Sequence, residues 1–73
     1  MLTREEEDLC HRLGLPYQNY SIIKESIIRE NVRQGNISKS NCYKMFKVDS
    51  SVVDGVFDYL ASEDEIIPEE VSV

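Results

Sequence analysis

The chain has 73 residues, 41% hydrophobic and 30% charged, with a net charge of −6 at neutral pH. That length makes one domain at most and supports one modest core, which leaves little room for a deep catalytic cleft. Its longest apolar runs are two or three residues, far from the roughly 20 of a membrane span, and the acidic residues 1–8 do not read as a signal peptide.

The first helix has a defined start. Thr3 is placed to cap, and Glu6 three residues later completes a capping box. Glu5, Glu6 and Glu7 also suit the positive end of a helix dipole. Leu9, Cys10 and Leu13 share one face, and Gly14 supplies a left-handed stop. Leu15-Pro16 opens a second helix, whose start can slide as late as Ser21. Tyr20, Ile23 and Ile27 form its apolar stripe, Ile28 and Val32 widen it, and Gly35 ends it. It is the longest element and the expected central pillar.

Ser38 is expected to cap a short third helix that holds Cys42, Met45 and Phe46 and ends near Lys47. Val48 reads as a buried spacer and Asp49 as the cap of a fourth helix. Val52, Val53, Val56, Phe57 and Leu60 then give a thick apolar face at helical spacing. Gly55 inside it costs about 1 kcal/mol against alanine, so it is expected to admit the close approach of another helix or a ligand. A last turn forms around Ile66 and Ile67. The expected architecture is all-α: a small helical bundle around one long central helix, with a helix-turn-helix-like C-terminal pair. Residues 1–67 form the domain and residues 68–73 an acidic disordered tail.

Catalysis requires convergent, tuned groups, and the sequence offers few. His11 is the single histidine, and adjacent helical residues diverge by about 100°, so Cys10 and His11 do not make a dyad. Two cysteines and one histidine so scattered match no zinc spacing, and the three glycines are isolated from one another. No cofactor, metal or enzymatic activity is expected. Cys10 and Cys42 read as reduced core residues. Tyr20, Phe46 and Phe57 are expected in the core, while Tyr17, Tyr43 and Tyr59 are ambiguous.

Charge is unevenly spread. Residues 24–47 hold six basic side chains against two acidic ones, whereas residues 48–73 hold eight acidic side chains and no basic one. Lys24, Arg29, Arg33, Lys39, Lys44 and Lys47 are therefore the candidate contacts to phosphates. Arg29 and Arg33 share a helical face, and Lys44 and Lys47 are expected to share another. The competing reading is a solvated surface with local pairs such as Glu25 with Arg29.

Several runs carry a resemblance. Leu2-Thr3, Glu6, Leu9-Cys10, Leu13-Gly14-Leu15-Pro16, Tyr20, Ile23-Lys24-Glu25 and Ile28-Arg29-Glu30 are followed by Gln34-Gly35, Ser38-Lys39, Phe46-Lys47-Val48-Asp49 and Val56-Phe57-Asp58-Tyr59-Leu60. Over residues 2–61 the chain resembles a SWIRM domain, most of all that of the transcriptional adaptor two type subunits of histone acetyltransferase complexes. The resemblance implies a helical bundle and a nuclear, non-catalytic chromatin module. It implies binding to double-stranded DNA or nucleosomes, or docking among the subunits of a chromatin-modifying complex. Such a module is expected to be monomeric in isolation. Such relatives often carry basic residues near where Val52 and Gly55 stand, whereas Ser50, Ser51, Asp54, Gly55 and Asp58 are the positions expected to be exposed on this helix, so it is not expected to lie against phosphates.

Overall fold

Helix boundaries follow the capping chemistry. In the structure, a computed structural model that describes residues 2–69, the helices are α1 (Arg4–Leu13), α2 (Tyr17–Gln34), α3 (Lys39–Met45) and α4 (Ser50–Ser62). Among the described residues there is no strand, only an isolated parallel bridge between Ile37 and Pro68. The all-α bundle expected from periodicity is what forms.

The Glu6 amide donates to Thr3 Oγ1 and the Thr3 amide donates to Glu6 Oε1, each at 3.1 Å, so the capping box is complete. Gly14 turns left-handed at φ 62°, and the Leu15 amide then donates back to the Cys10 carbonyl at 2.9 Å. This satisfies an orphan carbonyl and turns Leu15 into the core. Pro16 precedes α2, which runs 18 residues to Gly35 at φ 84°. At about 1.5 Å per residue α2 is about 27 Å long, most of the 33 Å long dimension of the molecule. Ser38 Oγ accepts the Asn41 amide at 3.2 Å and caps α3.

Three local expectations need correction. Asp49 occupies the cap position of α4, but its side chain makes no capping bond. Val48 is 42% exposed and is no buried spacer. Val32 is 75% exposed. At about 100° per residue it stands about 140° from the fully buried Ile27, past the edge of the stripe, whereas Ile28 remains half-buried.

The core joins Tyr20, Ile23 and Ile27 of α2 to Val53, Val56, Phe57 and Leu60 of α4, with Leu9 and Cys10 beneath and Cys42 from α3. α4 packs against all three other helices. Its Gly55 makes the tightest approach. A Cβ there would meet Leu13 Cδ1 at 2.8 Å, so the missing side chain is what lets α1 and α4 close. Tyr20 and Phe57 are buried as expected; Phe46 is only half-buried. Cys10 and Cys42 are both buried free thiols.

After α4 the chain stops without a glycine. Asp64 takes the left-handed conformation at φ 57°, and the Glu65 amide donates to the Leu60 carbonyl at 2.9 Å, the same closure as at Gly14. Ile66 then enters the core. The Ile67 amide donates to Asn31 Oδ1 at 2.9 Å, which accounts for a buried asparagine on the apolar side of α2. The Ile37 amide donates to the Ile67 carbonyl at 3.0 Å, and the Glu69 amide donates to the Ile37 carbonyl at 2.8 Å. Pro68 and Glu69, assigned to the tail on composition, are thus paired to the linker between α2 and α3. The rest of that tail, residues 70–73, lies outside the described residues.

Candidate binding surface

The six candidate cations divide into two groups. Lys24 is half-buried at the α1–α2 seam. Its Nζ lies 2.8 Å from Glu6 Oε2 and 4.0 Å from Glu65 Oε1. The Tyr20 hydroxyl donates to the same Glu6 carboxylate. Burial alone would push the Glu6 pKa up. The hydrogen bonds from Lys24, Tyr20 and the Thr3 amide together outweigh it and hold Glu6 at about 2. The Glu6 hydrogen bond raises Lys24, and burial followed by the Glu6 bond raises Tyr20. This cluster pins α1 to α2 and offsets the charge of the partly exposed Lys24.

Lys39 faces α4. Its Nζ lies 2.9 Å from Asp58 and 3.5 Å from Asp54, and 5.7 Å from the centre of the Phe57 ring. The Asp58 bond raises its pKa. The Tyr43 hydroxyl donates to Asp54, so the acidic face of α4 is met by α3 rather than left open. Arg33 pairs with Glu30 one turn back on α2. That pair is exposed, where ion pairs contribute little, so Arg33 keeps its place on the surface with its charge locally offset.

Arg29, Lys44 and Lys47 remain. All three are exposed, and among the described residues none makes an ion pair; the Glu25–Arg29 pair of the competing reading does not form. At about 100° per residue, Ile22, Arg29 and Arg33 fall within about 40° of one another on α2. At its Ile22 end that flank adjoins the end of α3. Ile22 and Ile23 line a shallow groove of about 340 Å³ with Met45, Phe46 and Val48, and Lys47 lies beside them. Farther along, Cys42 feels Glu30: burial, helped by that carboxylate, raises its thiol to about 11. On α3, Lys44 stands about 160° from the buried Cys42, hence outward. Lys47 lies beyond the end of α3 at Met45, so it shares no helical face with Lys44. Lys47 meets the start of α2 from the α3–α4 corner instead.

A second concavity, of about 410 Å³, lies between α1 and α4, lined by Glu5, Asp8, Arg12, Tyr59 and Glu63 among others. It holds no histidine or cysteine. Among the described residues no group of three or more His, Cys, Asp or Glu side chains is placed to hold a metal. Cys10 is buried while His11 is exposed, so the neighbours diverge, and burial raises the Cys10 thiol further from its reactive form.

Sequence reasoning missed the Glu6–Tyr20–Lys24 cluster, although Tyr20 and Lys24 stand four apart on one helical face and so signalled it. It also missed the groove, because Val48 was assigned to the core. No family model matches the chain, and no curated protein or solved structure matches it significantly.

Proposed function

We propose that this chain is a non-catalytic, nuclear, chromatin-associated module of a transcriptional coactivator or histone-modifying complex, and that it contacts double-stranded DNA or nucleosomes without sequence specificity. One observation carries the reading: Arg29 on α2 and Lys44 and Lys47 at the end of α3 are exposed with no ion partner among the described residues, whereas Lys24, Arg33 and Lys39 are each paired. The resemblance of residues 2–61 to a SWIRM domain supports the setting in chromatin. A helix-turn-helix-like shape alone does not imply DNA binding, so the charges must be tested directly.

Three free cations neutralise about three phosphates. The observed log affinity then falls with log salt at a slope of about −3, since each phosphate contact contributes about −0.9. Such a contact is weak alone and useful as one of several within a complex. Fluorescence anisotropy with a short duplex, titrated with salt, measures it. Arg29→Ala with Lys44→Ala should lower affinity and reduce the slope by about 2. An unchanged affinity and slope would remove the DNA reading.

A second reading is favoured by Ile22, 63% exposed, and Val48, 42% exposed, beside those same cations. In it the module docks a protein within the complex and does not grip DNA. It requires that assembly of the complex depend on this domain while duplex binding is undetectable at physiological salt.

A further inference from the structure

We infer that the groove between the start of α2 and the α3–α4 corner docks an acidic amphipathic helix from a partner protein; the inference rests on the docking reading just given, not on the DNA reading. The groove is apolar at its centre. Ile22 and Val48 present exposed aliphatic side chains that no described residue covers, with Met45 and Phe46 half-buried between them. Neither exposed side chain is demanded by the fold. Ile22 stands about 140° from the core-facing Ile27 on α2, and Val48 lies in the turn outside both α3 and α4.

The charge around the groove selects the partner. Elsewhere basic side chains of the central segment are matched by acids: Lys24 by Glu6, Arg33 by Glu30, Lys39 by Asp58 and Asp54. No carboxylate lines this groove, and Lys47 does. Lys44 directly precedes Met45 on α3, and Arg29 lies two turns along the Ile22 stripe of α2, past the exposed Glu25. An apolar trough with the unmatched Lys47 at its edge fits a helix with apolar residues at i, i+3, i+4 and i+7 and a carboxylate on the flank that meets that lysine. Duplex DNA would use the cations and leave Ile22 and Val48 idle, because the sugar-phosphate backbone offers no apolar knob to fill the trough. That difference separates the two partners in one experiment.

The probe is a synthetic acidic amphipathic peptide, with its scrambled isomer as control, set beside a short DNA duplex. Binding is read by anisotropy, and amide shift changes on the labelled domain locate it. The amphipathic peptide should shift Ile22, Met45, Lys47 and Val48, and the isomer should not. Ile22→Ser with Val48→Ser should weaken the peptide about tenfold or more while leaving any duplex affinity measured at low salt unchanged. Both positions are exposed, so the double variant folds, which its amide spectrum verifies. Lys44→Glu with Lys47→Glu should weaken peptide and duplex alike. Equal binding of peptide and isomer, shifts outside the groove, or an unchanged peptide affinity in the serine variant each overturns the docking site. Any of these with a retained salt-dependent duplex affinity leaves the DNA reading standing. Self-association abolished by the serine substitutions would make a second copy the occupant and likewise overturn the proposal.

Discussion

Glu6 closes the Thr3 capping box with one carboxylate oxygen and receives Tyr20 and Lys24 on the other. Its ordinary pKa of 4.5 falls to about 2 in the fold, where three donors outweigh the cost of burial. The native state therefore binds fewer protons than the unfolded chain between those values. The stabilisation is present in full above about pH 4.5 and is lost as pH falls toward 2, on the order of 3 kcal/mol in all. Urea unfolding across that window should show the decline, and Glu6→Gln should flatten it while lowering stability at neutral pH by about 2–4 kcal/mol. A pH profile identical in both proteins would show that the cluster is not what acid removes. The capping role of Glu6 was legible, because a capping box is a local spacing rule. Its burial was not, because that depends on where α2 places Tyr20 and Lys24.

At the scale of elements the same division holds. Helix starts and stops at Thr3, Gly14, Gly35 and Ser38 were legible because each rests on chemistry within a few residues. The stop at Asp64 was not, since aspartate adopts the left-handed conformation far less readily than glycine. Likewise the close approach required by Gly55 was legible but its partner Leu13 was not. That contact gives a double-mutant test. Gly55→Ala gains helix propensity of about 1 kcal/mol but drives its Cβ into the Leu13 side chain, 2.8 Å away at Cδ1. The two effects oppose, so the single variant should stay within about 1 kcal/mol of the parent. In a Leu13→Ala background the clash is gone, and Gly55→Ala should stabilise by about 1 kcal/mol. Chemical denaturation of the four proteins measures the coupling; strict additivity would place the close contact elsewhere.

The whole molecule segregates charge, with basic residues concentrated in 24–47 and acidic ones at both ends. The candidate surface was legible as a composition bias and only half legible as a site, because pairing depends on packing. α4 brings Asp54 and Asp58 to Lys39, and α1 brings Glu6 to Lys24. If the chain binds DNA as proposed, the acidic residues after α4 should restrain that binding. Deleting residues 63–73 is a poor test, because it removes Ile66 from the core and the Ile67 amide from Asn31. Substitution is cleaner. Glu63→Gln with Asp64→Asn changes the net charge from −6 to −4 at exposed positions, and asparagine accepts the left-handed backbone of residue 64. The molecule measures 33 × 23 × 23 Å. At about 0.01 M salt the screening length is about 30 Å, so every charge acts on an approaching duplex; at physiological salt it is about 8 Å. The double variant should bind duplex DNA severalfold more tightly at the low salt and equally at the high salt. A gain that persists at physiological salt would put Glu63 and Asp64 beside the bound phosphates, and would move the proposed DNA contact from Arg29, Lys44 and Lys47 to the far end of α4.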